Sequence, residues 1–270
     1  AGFDVLALNQ SDLGRREKLL VPRVAGRADV ASATRRPWID SNGWRLVRRP
    51  AGKFYYDLAE KGAGKATLAI AEAFAYHADA ILKIDPADLA AAGTMLVFLR
   101  ALPPAILPPI ADIGVIDDGS AVTGEVMNLL TRRNLLFRLV SAPAPQLRVN
   151  IRLGGKDYSR AEASDPNTFA LKVRRQLGDE NRSLRIYGTE VVISRLTGDV
   201  ARVQLQLLNY SGTEVDSMRV RMRGSYAKDE LRAFGIEQGA LEDFVVADGA
   251  TEFTIPKLGV YAWIELPAVK

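Results

Sequence analysis

Apolar positions follow two different spacings along the chain, and the change between them falls near residue 145. Before it, short apolar runs are separated by longer stretches with helical recurrence. Residues 44–49 read as a strand, and residues 63–77 as a helix on which Leu68, Ala71, Phe74 and Ala75 recur at helical spacing. Residues 80–84 read as a short buried strand ended by Asp85-Pro86, where Asp caps and Pro suits the first helical position. A second helix runs to Leu102. The Pro103-Pro104 and Pro108-Pro109 pairs then force an irregular connection, residues 112–116 give a third strand, and Asp117-Asp118-Gly119-Ser120 gives a turn. Residues 122–134 form a third helix and residues 136–141 a fourth strand. This alternation predicts a mostly parallel sheet with right-handed crossovers. The region is far shorter than the ~250 residues of a closed eight-fold barrel, so a small open sheet or a barrel fragment is expected.

After Pro143-Ala144-Pro145 the period becomes two. Residues 146–153 alternate, a short helix covers 167–177, and strands are expected at 183–187, 190–196, 202–209, 217–223, 244–246, 252–255 and 260–266. Thr197-Gly198-Asp199, Asn209-Tyr210-Ser211-Gly212 and Asp248-Gly249 supply the turns. Short strands at this spacing make an antiparallel sandwich. The expected fold class is therefore α/β plus all-β: an extended lead-in over 1–37, an α/β layer over 38–142 and a β-sandwich over 146–270.

With 48% apolar and 25% charged residues, the 270-residue chain has the composition of a folded globular protein. No apolar run is long enough to cross a bilayer, which excludes an integral helical membrane protein. There is no cysteine, which removes disulfides, zinc thiolates and cysteine nucleophiles. His77 is the only histidine, which removes multi-histidine metal centres; at the end of an apolar helix it is expected as a C-terminal cap. The net charge of +4 is spread in Arg pairs among acids, so a solvated surface is expected and nucleic acid is not an expected partner. The start at Ala1 without Met is what signal-peptide removal would leave, giving an expectation of a secreted or periplasmic protein. Gly62-Ala63-Gly64-Lys65-Ala66-Thr67 imitates a phosphate loop but has Ala after the Lys, and no dinucleotide fingerprint follows a strand, so no cofactor is expected. A Ca²⁺ or Mg²⁺ site would require the oxygens of Asp112, Asp117 and Asp118 to converge.

Ligands of open parallel sheets bind beyond the carboxyl ends of the strands. Asp85, Asp117 and Asp118 fall there, with Glu125 on the first turn of the next helix. Glycoside hydrolysis needs two carboxyls, one protonated and one ionised, and Asp117, Asp118, Glu125 and Asp40 are the catalytic candidates. The same acids also fit ordinary capping and turn chemistry. The segment Trp38-Ile39-Asp40-Ser41-Asn42-Gly43-Trp44 sets two aromatics around an acid, an amide and a turn glycine, with Phe54-Tyr55-Tyr56 close by. Aromatic faces beside hydrogen-bonding groups suit a sugar ring, so Trp38, Asn42, Trp44, Tyr55 and Asp85 are candidates for substrate binding; the alternative is that the tryptophans are core residues.

Leu207-Leu208-Asn209-Tyr210, residues 215–223, residues 252–258 and residues 261–266 together resemble the C-terminal β-sandwich that follows catalytic or catalytic-like domains in many bacterial glycoside hydrolases. Ala69-Ile70-Ala71-Glu72-Ala73 and Met127-Asn128-Leu129-Leu130 resemble degenerate domains of the sugar-hydrolase barrel or glutamine-amidotransferase-like kind. Without cysteine, amidotransferase chemistry is excluded. The resemblance implies a carbohydrate-associated protein, a binding module or a catalytically degenerate glycoside-hydrolase-like protein, with polysaccharide or oligosaccharide as partner. Two alternatives stay open: a structural or protein-interaction protein, and an active glycosidase.

Overall fold

The computed structural model describes residues 4–6, 13–25, 37–58, 64–103, 106–236 and 239–269. Its first half contains β1 (Glu17–Leu19), β2 (Arg23–Ala25), β3 (Trp38–Asp40), α1 (Gly43–Arg48), β4 (Lys53–Asp57), α2 (Lys65–Ala75) and β5 (Asp79–Lys83). These are followed by α3 (Leu89–Arg100), β6 (Ile113–Val115), α4 (Ala121–Arg132), β7 (Phe137–Leu139), β8 (Val149–Ile151), α5 (Arg160–Ala163) and α6 (Pro166–Leu177). Two parallel sheets result, ordered β1-β4-β5 and β7-β6-β8, with β2 and β3 as a separate antiparallel pair.

Three expectations are corrected here. Residues 44–49 are not a strand. They lie mostly in α1, which starts when the Arg45 and Leu46 amides both donate to the Asn42 carbonyl, at 2.8 and 3.0 Å. Six residues are too few for the two periods to separate, and burial of Gly43 and Leu46, three apart, is the helical choice. The lead-in contributes β1, which adds to the parallel sheet in register with β4, while most of its remainder lies outside the described residues. The alternation of residues 146–153 belongs to β8, which pairs in parallel with β6 and so sits in the first layer, not in the sandwich. Parallel and antiparallel strands share a period of two, and three residues carry no signal of direction.

The second half contains β9 (Leu184–Tyr187), β10 (Val192–Gly198), β11 (Arg202–Asn209), β12 (Val215–Arg223), β13 (Leu231–Ala233), β14 (Glu242–Ala247), β15 (Ala250–Leu258) and β16 (Tyr261–Pro267). They form two antiparallel sheets, β10-β11-β16-β13 and β14-β15-β12-β9. Asp248 and Gly249 both take positive φ, 51° and 69°, as the two-residue hairpin between β14 and β15 requires. In this half, among the described residues, only the three-residue β13 is absent from the sequence expectations, whereas in the first half β2, β3 and β4 are absent.

The two sheets differ in what covers them. On β12 the alternation is clean: Met218, Val220 and Met222 point into the sandwich core, while Arg219 and Arg221 bond to Glu252 on the outer face. On β11 nearly every residue is buried. Val203, Leu205 and Leu207 enter the sandwich core, whereas Leu208 and the β16 residues Tyr261 and Trp263 enter a second core with α2 and α3. Phe74 of α2 and Phe98 of α3 meet the Tyr261 ring edge-on, with centroids 6.4 and 6.2 Å apart. Helix α2 thus lies between a parallel sheet and a sandwich sheet. This is why Ala66, Leu68, Ala69, Ile70, Ala71, Ala73 and Ala75 are all buried, around the whole circumference. Among the described residues no helix is long and apolar enough to cross a membrane.

Candidate functional site

The loop after β6 carries the predicted acids to the carboxyl end of the β7-β6-β8 sheet, and each of them meets an arginine. Arg48, at the end of α1, donates to both Asp117 oxygens, Nε to Oδ2 at 2.8 Å and Nη2 to Oδ1 at 2.7 Å, and also to the Ser120 carbonyl at 2.9 Å. Partial burial pulls the Asp117 carboxyl upward, but the Arg48 fork and the Gly119 amide together hold it below the usual carboxylate range. Asp118 accepts from the Thr123 hydroxyl at 2.7 Å and the Ser120 amide at 3.0 Å, and its other oxygen meets Arg160. Burial again acts upward and is outweighed, so Asp118 is held far below its ordinary value. Ser120 caps α4 through the Thr123 amide at 3.2 Å, so the loop is itself the start of that helix.

Trp44 and Arg48 are brought to the same place by Gly124 on α4. A Cβ there would lie 2.9 Å from both the Trp44 ring and the Arg48 guanidinium, so the missing side chain is what lets α1 settle on α4 and Arg48 reach Asp117. Trp44 is a half-buried part of the core formed by α4, α6, β6 and β8. Glu125, the next residue, is half-buried and accepts from the Asn128 amide at 3.2 Å. The other candidates are elsewhere. Asp40 pairs with Arg23 across the β2–β3 ladder at 3.1 Å, and Trp38 lies under the Arg132 guanidinium, 3.6 Å from its ring centroid. Tyr55 is half-buried on β4 between Lys18 and Ile81 in the ladder, and Asp85 caps the turn that precedes α3 through the Ala87 amide at 2.8 Å. Asp112 stands at the opposite end of β6 from Asp117 and accepts from the Ser183 amide and hydroxyl at 2.9 and 2.6 Å, so the three aspartates do not converge on a cation.

Asn42 proves to be a structural residue of another kind. It is fully buried, exchanges hydrogen bonds with the Leu20 backbone, and donates its backbone N–H and side-chain amide to Glu72 at 3.1 and 2.8 Å. Tyr56 donates to the same carboxylate at 2.8 Å and Tyr210, from the far side of the layer interface, at 2.5 Å. Each Glu72 oxygen therefore has two donors, which fills its accepting capacity. Burial pushes this carboxyl above its ordinary value even though all four bonds act in the opposite direction. Glu72 was not among the candidates, although a signal was there: a lone charge inside Leu68-Ala69-Ile70-Ala71-Glu72-Ala73 must be buried and therefore must be partnered. Tyr210 of the Leu207-Leu208-Asn209-Tyr210 motif is its partner across the interface.

Two further expectations concern the ends of α2. His77 stands just beyond α2 at φ 52°, its amide donating to the Phe74 carbonyl and the next amide to Ala73, a capped helix end in which the imidazole takes no part. Where a phosphate loop was considered, the described amides of Gly64 and Ala66 donate to Asp88 at 2.7 and 3.4 Å, so a carboxylate of the chain itself holds that helix start; Gly62 and Ala63 lie outside the described residues.

No family model matches the chain, and no curated protein matches it by sequence. Solved structures do. α-L-Fucosidase isoenzyme 2 from Paenibacillus thiaminolyticus superposes with a TM-score of 0.61 at 9% identity, over 84% of this chain and 62% of that one. A catalytic mutant of Gan42B, a GH42 β-galactosidase from G. stearothermophilus, superposes at 0.42 and 7% identity, over 87% of this chain and 52% of that one, too loosely to bear on the fold. The chain spans less than two thirds of the fucosidase's length, and over that span its α/β layer and β-sandwich share the fold of that structure.

Proposed function

We propose that this chain is a carbohydrate-associated protein that binds saccharide without hydrolysing it. The observation that carries this reading is the neutralisation of the loop after β6. A glycosidase needs one carboxyl raised into the protonated state and another left ionised and accessible. Asp117 and Asp118 are instead both held low, Asp117 by Arg48 and the Gly119 amide, and Asp118 first by Thr123 and Ser120 and then by Arg160, and each is ion-paired. Among the described residues Glu72 and Asp112 are the acids whose carboxyls are raised, and both are buried in hydrogen bonds that join the α/β layer to the sandwich. The fucosidase-like fold supports a carbohydrate setting, and the ion-paired loop supports loss of the hydrolytic engine.

A purely structural reading draws on one observation of its own: Trp38 and Trp44 are turned onto Arg132 and Gly124 of α4. The test separates the readings. Thermal unfolding is followed with and without a panel of neutral and acidic oligosaccharides, and release of reducing ends is assayed on the same panel. A saccharide at ~100 times its dissociation constant adds about 2.7 kcal/mol to stability. A shift without hydrolysis is the expected result. Hydrolysis would restore the glycosidase reading, and no shift on any saccharide would leave the structural one.

A further inference from the structure

At the opposite end of the β7-β6-β8 sheet from Asp117, a groove of about 410 Å³ opens between the carboxyl ends of α4 and α6 and the strand β9. It is lined by Arg132, Arg133, Arg174, Arg182, Arg185 and Tyr187, with Glu190 at its rim. Arginines in the last turns of α4 and α6 are expected at helix carboxyl ends. That accounts for Arg132 and Arg174, but not for Arg182 and Arg185 on and before β9. Asp179 answers three of these cations at once: Arg174 through a fork at 2.8 and 2.5 Å, Arg182 at 3.3 Å and Arg185 at 3.7 Å. Its carboxyl is held far down, first of all by Arg174. Among the described residues, Glu190 is the carboxylate that lines the groove.

The guanidiniums are fixed in place. Arg182, buried, donates to the carbonyls of Arg133 and Asn134 at 3.4 and 3.0 Å; Arg132 stacks on Trp38 and donates to the Pro37 carbonyl at 3.1 Å; Arg185 lies over Tyr187 at 4.8 Å. Such preorganisation lowers the ordering cost of taking up an anion. Tyr187 keeps 37% of its surface exposed, next to Gly188 at φ 85°. Along the ladder Arg221 and Arg219 of β12, both bonded to Glu252, are the register partners of Arg185 and Tyr187. Guanidinium forks match carboxylate and sulfate oxygens, and an exposed phenol ring matches the C–H face of a sugar.

We propose that this groove is a binding site for an acidic saccharide, whose carboxylate or sulfate is taken by Arg185 and its neighbours while a sugar ring rests on Tyr187. This deepens, and rests on, the reading of the chain as carbohydrate-associated. Isothermal titration tests it with four probes: an oligogalacturonate, a sulfated galactan oligomer, a neutral galactan oligomer of equal length, and a single-stranded oligonucleotide. The proteins are the unsubstituted chain, Arg185→Gln and Tyr187→Ala, with unliganded unfolding midpoints measured to confirm that each folds. The expected result is binding of one or both acidic oligomers, weakened steeply by salt and about tenfold or more by Arg185→Gln, the size of one charge-assisted hydrogen bond. Carboxylated and sulfated ligands are told apart by which oligomer binds. Acidic-oligomer binding that neither substitution weakens overturns the groove assignment. So does binding of the neutral oligomer alone, which leaves the carbohydrate reading standing. Oligonucleotide binding as tight as that of the acidic oligomers overturns the saccharide class, and no saccharide binding at all overturns both readings.

Discussion

Glu72 and the Asp117–Asp118 pair are carboxylates of the same α/β layer, and each accepts hydrogen bonds at both of its oxygens. The donors differ. Glu72 is served by neutral donors, an amide, a backbone N–H and two phenols, in a place without solvent, and burial wins: its carboxyl is raised. Asp117 is served by a guanidinium and the Gly119 amide, and Asp118 by the Thr123 hydroxyl, the Ser120 amide and a guanidinium, at a partly wet loop, and there the donors win: both carboxyls are lowered. Hydrogen bonding alone does not set the direction; the depth of burial against which it acts does, and a charged donor adds to it. A working glycosidase divides these two environments across one cleft. Here the raised carboxyl is sealed in the layer interface and the lowered ones are ion-paired on a loop.

The contrast is broken most severely at the interface. Glu72→Ala leaves four buried donors unmatched at a junction that draws on β1, α1, β4 and the sandwich, and is expected to cost about 3 kcal/mol in chemical denaturation. Next is Gly43→Ala, one residue beyond Asn42. The added Cβ would lie 2.3 Å from the Tyr76 hydroxyl of a half-buried ring, and the overpacking is expected to cost about 2 kcal/mol. Arg48→Ala on the loop is expected to cost only about 1 kcal/mol, since its ion pair is partly solvated, and to let the Asp117 carboxyl rise toward the usual range.

The pH dependence of stability sharpens the comparison further, because the two groups have opposite signs. Lowered carboxyls, Asp117, Asp118 and Asp179, bind protons more readily in the unfolded chain, so their contribution is present above the ordinary carboxylate range and is lost as pH falls below it. Raised carboxyls, Glu72 and Asp112, bind protons more readily in the folded chain, so stability declines as pH rises from their ordinary values through their raised ones. Denaturation midpoints measured across acid pH are expected in Glu72→Gln to lose the Glu72 part of the decline above the ordinary glutamate value, with the Asp112 part kept, while the fall in stability at lower pH, which belongs to the lowered carboxyls, stays as it was.

The alternation of helix and strand, and the later switch to period two, were legible because each rests on several repeated positions. The α1 helix was not, because six residues carry both periods; nor was the membership of β8, because direction is a property of the neighbour and not of the strand. For the site, the sequence placed Asp117 and Asp118 correctly on the loop after a parallel strand but was silent on their partners. Arg48 reaches Asp117 from 69 residues away, and only the gap left by Gly124 lets it. The buried Gln204 and Gln206 of β11 illustrate the same limit: polar residues at alternate positions signify solvent on a free sheet face, but here that sheet is covered by helices, and Gln206 accepts from the Tyr261 hydroxyl at 2.8 Å. Long-range complementarity of this kind has no local spacing to betray it.

The most direct measurement of the central claim is a carboxyl-carbon NMR titration of the aspartates and glutamates. Asp117 and Asp118 are predicted to titrate below the ordinary carboxylate range and Glu72 above it, with Asp117 moving upward in Arg48→Ala. Asp117 or Asp118 titrating near neutrality in the unsubstituted protein would contradict the account, because a protonated acid would then stand ready on the loop where a glycosidase needs one.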